Sequence, residues 1–130
     1  MDVSIRLEAG AQRKDDKAAV VARAALRAAG QLKIPNRLLA QIIGLSEASM
    51  SRAARDAFRL DPDGKPFELA LLFIRLFRSL DAIVGGDAPT AAAWLRADNL
   101  ALGAKPIDLI QRVPGLIDVI AYLDARRAIV

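Results

Sequence analysis

One segment, 67–84, constrains the fold more than any other because its apolar residues recur at helical spacing. They fall in a single stripe, namely Leu69, Leu72, Phe73, Leu76, Phe77, Leu80, Ile83 and Val84. A stripe with this period indicates a long helix with one face in a core. Alanine, leucine and arginine dominate the chain and aromatic residues make up 5% of it, which favours helix over sheet. The sequence therefore predicts an all-α fold.

Prolines, glycines and capping residues divide the chain into helices and connections. Residues 1–14 have no clear period, and we expect them to form a flexible tail or a short arm. Two prolines and a glycine make 61–66 the best candidate for a linker between domains. Asn36 and Ser46 are suited to cap helices, and Gly44 is suited to end one. The helices expected from these signals cover 15–32, 37–43, 47–59, 67–84, 88–96 and 106–112, with a last one from 114 onward.

Two of these helices have the residue pattern of a DNA-binding helix-turn-helix. Such a unit needs a small residue where the helices touch, a residue tolerant of positive φ in the turn, and an apolar residue on the second helix. Ala40, Gly44 and Met50 occupy these positions, at spacings of four and then six residues. We therefore expect an N-terminal helix-turn-helix unit, 15–60, followed by a small C-terminal helical bundle, 67–130.

The outer face of the front unit carries cations and hydroxyls. Residues 1–60 have a net charge of +5 and residues 61–130 a net charge of −1, so nucleic acid is the natural partner of the front half. In this motif the front of the second helix meets base edges, and flanking cations meet phosphates. The predicted DNA contacts are Lys33, Arg37, Ser46, Ser49, Ser51, Arg52 and Arg55. The alternative is a solvated arginine face on a hairpin that serves only dimerisation.

The chain contains no cysteine and no histidine, which removes disulfides, thiol nucleophiles, the usual zinc ligands and the commonest general base. The carboxylates of the back half sit mostly at helix ends or on polar faces, where capping and solvation account for them. We therefore expect no enzyme, cofactor, metal or small-molecule substrate. Because there is no long apolar run and no secretory signal near the front, we also expect no membrane partner and a cytoplasmic location.

A combination of residues in the back half is typical of one family. It comprises Leu76, Phe77, Arg78, Ser79, Leu80, Asp81, Gly86, Asp87, Trp94, Leu95, Asn99, Leu102, Gly103, Pro106, Leu109, Ile110, Gly115, Tyr122 and Leu123. This set resembles the Xre/MbcA/ParS toxin-binding domain over about 67–127, and the front unit resembles the Xre-like helix-turn-helix that precedes it in that family. The resemblance implies an antitoxin that docks over the active site of a RES-type toxin, which consumes NAD or transfers ADP-ribose. It also implies repression of its own operon.

Partner contacts are predicted on two surfaces of the back half. Leu71 and Ile74 point away from the apolar stripe of their helix, and a helix that is apolar on two sides usually has two partners. We expect a homodimer contact or a toxin contact there. Toxin contacts are also expected in the last helix and the tail, at Tyr122, Asp124, Arg126, Arg127, Ile129 and Val130. The alternative for that tail is a frayed end, and Trp94 is expected to be a core anchor.

The same residues are compatible with two other functions. The first is a dimeric transcriptional regulator without a toxin partner, whose back half only dimerises. The second, less favoured, is an enzyme that works with carboxylates alone. Co-purification with a toxin encoded beside it separates the antitoxin from the regulator.

Overall fold

The computed structural model describes residues 3–55 and 60–129. These ranges consist of helices joined by turns and loops, and they contain no strand. The helices are α1 (Val3–Gln31), α2 (Asn36–Ile43), α3 (Glu47–Arg55), α4 (Lys65–Ile83), α5 (Ala88–Arg96), α6 (Pro106–Leu109) and α7 (Val113–Ile129). An isolated antiparallel bridge between Asn99 and Ala104 closes the loop before α6. The predicted all-α fold, with a helix-turn-helix in front of a helical bundle, is confirmed.

The first helix corrects the expectation of a flexible tail over 1–14. Helix α1 begins at Val3 and continues through Gly10 without interruption. A single glycine inside a helix costs only about 1 kcal/mol relative to alanine. A helix can therefore continue through a segment whose apolar pattern is too weak to predict it.

The start of α2 corrects the predicted cap at Asn36, which is the first residue of the helix. Pro35 occupies the N-cap position in an extended conformation, and no side-chain oxygen caps this end. Instead, the carbonyl of Pro35 accepts hydrogen bonds from the backbone N–H groups of Leu38 and Leu39, both at 3.0 Å. Backbone geometry therefore takes the place of the expected side-chain cap.

Helix α4 is the central element, because α1, α2 and α7 all pack against it. Its Phe73, Leu76 and Leu80 are buried, as the periodic stripe predicts. Helix α1 contributes a face of small side chains to the core, Ala18, Ala22, Ala25, Ala28 and Ala29, which allows its backbone to approach its neighbours closely. One hydrophobic cluster extends from α1 to α7.

The segment 61–66 is a turn that leads directly into α4. The backbone N–H of Gly64 donates to the carbonyl of Asp61 at 3.0 Å, and Leu60 just before it is buried. Pro66 lies in the first turn of α4, where its missing N–H has no helical partner to lose. The hydrophobic core therefore continues across the segment for which we predicted a linker.

Helix α7 begins very close to the end of α6. A β-carbon placed on Gly115 would lie 2.0 Å from the carbonyl oxygen of Leu109, so only glycine fits. The buried face of α7 consists of Leu116, Val119, Ile120 and Leu123. Val113 and Ile117 lie on the same helix but are 51% and 45% exposed. The helix thus buries one face against α4 and leaves two large apolar side chains in solvent.

Candidate functional site

The helix-turn-helix has the geometry that its three key residues predict. Ala40 and Met50 are each 1% exposed, and Gly44 adopts a left-handed conformation with φ of 77°. The side chain of Leu69 on α4 lies over this turn, 3.6 Å from the position of a β-carbon on Gly44. The hairpin is therefore held by its own contacts and also by the central helix.

The front of α3 carries a short chain of polar contacts. The hydroxyl of Ser46 caps the helix, because it accepts from the backbone N–H of Ser49 at 3.1 Å, as predicted. The same hydroxyl donates to Oγ of Ser49 at 2.9 Å, and Nη2 of Arg52 donates to that Oγ at 3.4 Å. Arg52 and Ser51 are exposed. The structure therefore brings Ser46, Ser49 and Arg52 together on one accessible surface.

The other residues predicted to contact DNA lie around this surface, and fewer contacts join them to one another. Arg37, at the start of α2, and Ser51 line one small cavity together with Glu47. Lys33 is exposed in the connection between α1 and α2, with φ of 57°. The side chain of Arg55 lies outside the residues that the structure describes. The carboxylate of Glu47 would oppose phosphate near Arg37.

An aromatic stack lies at the surface of the back half. The rings of Trp94 and Tyr122 are stacked, with centroids 6.1 Å apart and planes inclined by 18°. The guanidinium of Arg126 lies 5.5 Å from the centroid of the Tyr122 ring, and its Nη1 donates to the phenol oxygen at 3.2 Å. Trp94 is half-buried against the edge of the core. Two of the predicted toxin contacts, Tyr122 and Arg126, are thus joined in one ordered group.

Asp124 has a structural role that sequence reasoning missed. Its carboxylate accepts from the hydroxyl of Ser79 at 2.8 Å and from the guanidinium of Arg75 on α4. The hydrogen bond from Ser79 lowers the pKa of Asp124 most, and Arg75 lowers it further, against the opposing effect of burial. Ser79 is 1% exposed and interrupts the apolar stripe of α4, a signal that could have predicted a buried polar contact.

The structure corrects the expectation that Ile74 is free to contact a partner. Ile74 is 9% exposed because α1 packs over that side of α4. Leu71 is 41% exposed and remains accessible. The second apolar side of α4 therefore has a partner within the same chain, which the alanine face of α1 provides. Of the remaining residues predicted to contact the toxin, Arg127 is exposed, whereas the side chain of Ile129 and all of Val130 lie outside the described residues.

Among the described residues, no group of three acidic side chains is placed to hold a metal ion. No helix in the described ranges is long and apolar enough to cross a membrane.

Polar contacts also join the front unit to the back. Arg96, at the end of α5, donates from Nη1 to the carbonyl of Leu32 at 3.0 Å and from Nη2 to the carbonyl of Lys33 at 2.7 Å. These carbonyls lie where α1 ends and the connection to α2 begins. Arg96 therefore fixes the base of the helix-turn-helix against the back half, a role that its sequence context did not indicate.

The chain matches two family models in succession. Residues 11–75 match the antitoxin Xre-like helix-turn-helix domain. Residues 79–128 match the antitoxin Xre/MbcA/ParS C-terminal toxin-binding domain. The first range ends and the second begins within α4, the helix that packs against both halves. Comparison with curated proteins finds no match. The helix-turn-helix, the bundle behind it and these two matches together show that the chain belongs to the Xre/MbcA/ParS family of antitoxins.

Proposed function

We propose that this antitoxin neutralises a RES-type toxin by covering the cleft in which that toxin binds NAD, using the end of α7. The observation that carries the proposal is the stack of Trp94, Tyr122 and Arg126, which stands at the surface of the matched toxin-binding range. A guanidinium suits the phosphate and carboxylate groups that such a cleft would bind. The inhibition is steric, because a covered cleft cannot admit its substrate.

Preorganisation explains why Arg126 would contribute much of the affinity. An arginine loses rotamer entropy when a partner immobilises it, and this loss weakens binding. The ring and hydroxyl of Tyr122 already hold the Arg126 side chain in place. Tyrosine and arginine are also the residue types that dominate binding energy at interfaces. Arg127, Asp124, Ile129 and Val130 are the other residues for which we expect toxin contacts.

We infer a second role, repression of the antitoxin's own operon. Arg52, which Ser49 holds at the front of α3, is suited to pair with guanine in the major groove, whereas Lys33, Arg37 and Arg55 would meet phosphates. A homodimer would place two such helices on a palindromic operator. A protein with these two partners, toxin and operator, would act in the cytoplasm as a regulator without catalysis of its own.

The decisive experiment is an NAD-consumption assay on the protein encoded beside this chain. The intact antitoxin should abolish NAD consumption, and Arg126→Ala should weaken the inhibition at least tenfold. Arg112→Ala is the matched control, since Arg112 is exposed near the start of α7 and its side chain has no partner among the described residues. It should inhibit like the intact chain.

The other outcomes separate the alternatives. If Arg126→Ala inhibits as well as the intact chain, the toxin contact lies elsewhere on the back half. If the intact chain does not inhibit, the antitoxin proposal fails for this toxin. The dimeric transcriptional regulator without a toxin partner would then be favoured, and the matched helix-turn-helix domain supports that alternative.

A further inference from the structure

A groove runs between α1, α4 and α7, away from the stack of Trp94, Tyr122 and Arg126. It encloses about 480 Å³, and its floor is apolar, formed by Val20, Val21, Ala24, Leu71 and Ile74. Ser79, Asp124 and the arginines Arg75, Arg78 and Arg127 complete its lining. We name it the arginine-rimmed groove.

The floor of the groove includes two exposed large apolar side chains. Val20 is 56% exposed and Leu71 is 41% exposed, although they belong to different helices. Single exposed apolar residues are common on protein surfaces, whereas a concave group of them indicates a binding surface. The two side chains converge on one groove, so the same occupant would cover both.

The rim of the groove carries unneutralised positive charge. Arg75 is paired with Asp124. Arg78 makes no ion pair or hydrogen bond through its side chain within the described part of the chain, and Arg127 interacts with the carboxylate of Asp124 only through its charge, without an ion pair or hydrogen bond. In the lining of the groove, three arginines therefore face one carboxylate. A smaller cavity of about 130 Å³ shares Ala24, Ile74 and Arg78 with the groove and adds Arg27. The positive rim therefore extends along the groove on the side of α1.

The apolar floor and the positive rim together indicate which kind of molecule fits the groove. A nucleic acid backbone would gain from the arginines but would leave the apolar floor without a partner. A second copy placed on a two-fold axis at this groove would set one arginine rim against the other, and like charges in contact oppose association. An amphipathic helix with acidic flanks satisfies both parts, because its apolar side chains cover the floor and its carboxylates meet the rim.

We propose that the arginine-rimmed groove binds an acidic amphipathic helix of a partner protein. Leu71 and Val20 contact the apolar face of that helix, and Arg78 and Arg127 pair with its carboxylates. Arg126 and the stack lie outside the groove, whereas Arg127 and Asp124 line it. Leu71 and Arg78 therefore test this proposal, and Arg126 tests toxin neutralisation.

The test uses the full chain and two labelled helical peptides, followed by fluorescence anisotropy. One peptide carries a leucine stripe flanked by glutamates, and in the other lysines replace the glutamates. The glutamate peptide should bind at least tenfold more tightly, and added salt should weaken it. Binding of neither peptide, or equal binding of both, would overturn the proposal.

Matched variants locate the binding. Arg78→Glu and Leu71→Asp should each weaken binding of the glutamate peptide about tenfold. Arg112→Glu, which changes an exposed arginine just before α7 and outside the groove, should not. Equal losses for Arg78→Glu and Arg112→Glu would mean that general charge, and not the groove, attracts the peptide. Circular dichroism checks that Leu71→Asp remains folded.

Light scattering tests the competing occupant. If the groove joins two copies of this chain, Leu71→Asp should halve the molar mass, and that result would overturn the proposal. An unchanged molar mass together with weaker peptide binding supports it. Because inhibition of the toxin is measured separately with Arg126→Ala, failure of the antitoxin mechanism and failure of the groove proposal give different results.

Discussion

The polar residues at the front of α3 and Asp124 near the end of α7 are held in opposite ways. In α3, Ser46 contacts Ser49, and Ser49 contacts Arg52, so each partner is three positions away. In α7, Asp124 contacts Ser79, which is 45 positions away. The polar contacts at the front of α3 are therefore a property of one short segment, whereas the position of Asp124 depends on how α7 is seated on α4. Arg126 is held by Tyr122, four positions away, and the Tyr122 ring in turn stacks on Trp94 of α5.

This difference has consequences for the function of the two regions. A locally held surface keeps its geometry while the rest of the fold adjusts, since its contacts lie within two turns of helix. A surface held by distant partners is sensitive to changes anywhere along the α4–α7 packing. We therefore expect substitutions that disturb packing to reduce toxin neutralisation before they reduce DNA binding.

Gly115→Ala should destabilise the protein by about 3 kcal/mol, with a fall in Tm of roughly 10 °C. The added β-carbon would meet the carbonyl oxygen of Leu109, which is backbone and cannot swing aside. Gly30→Ala is the matched control, because a β-carbon on this helical glycine meets nothing within 4 Å. It should leave Tm unchanged or raise it slightly. Equal Tm values for both variants would show that α7 is not seated this closely on α6.

Arg96→Ala should lower the free energy of unfolding by about 2 kcal/mol. The reason is that the carbonyls of Leu32 and Lys33 lose charge-assisted hydrogen bonds where the helix-turn-helix unit meets the back half. The measurement is urea denaturation. Arg112→Ala, which removes an exposed arginine of the back half, should stay within about 0.5 kcal/mol of the intact chain. A cost for Arg96→Ala as small as the cost for Arg112→Ala would mean that these hydrogen bonds contribute nothing to stability.

Asp124→Asn should lower the free energy of unfolding by about 1–2 kcal/mol at neutral pH, and this loss should be smaller in acid. Ser79 and Arg75 lower the pKa of Asp124 in the folded protein. The stability gained from the ionised form is therefore fully present above the ordinary carboxyl pKa of about 3.9, and it is lost as the pH falls through the lowered value.

Urea denaturation at neutral pH and at about pH 3 measures this difference. Asp118→Asn is the control, since Asp118 is exposed on the same helix and its side chain has no partner among the described residues. A difference between Asp124→Asn and the intact chain that does not change with pH would rule out the ionised contact as the cause.

Ser46→Ala should have the smallest effect, a loss of about 1 kcal/mol from the missing N-cap of α3. Asp87 caps α5 in the same way, by accepting from the backbone N–H of Thr90 at 3.4 Å. Asp87→Ala should therefore cost a similar amount in urea denaturation. A much larger cost for Ser46→Ala would mean that the front of α3 also depends on distant contacts, and the contrast with α7 would fail.

The positions of several helices and the helix-turn-helix could be predicted from the sequence alone, because they depend on residues close together in the chain. The stripe over 67–84 predicted α4, and Gly44 and Ser46 predicted the end of α2 and the start of α3. The spacing of Ala40, Gly44 and Met50 predicted the helix-turn-helix, because a steep crossing requires those residue types wherever it occurs. The combination of residues in the back half was specific enough to indicate the family.

Only the tertiary structure decided which surfaces remain free. The sequence shows that α4 is apolar on two sides, but α1 supplies the second partner, so Ile74 is buried while Leu71 is exposed. Likewise Asp124, Ser79 and Arg75 meet only because α7 lies along α4. Helical periodicity reports which residues share a face, whereas the choice of the helix that covers this face depends on contacts between residues far apart in the chain.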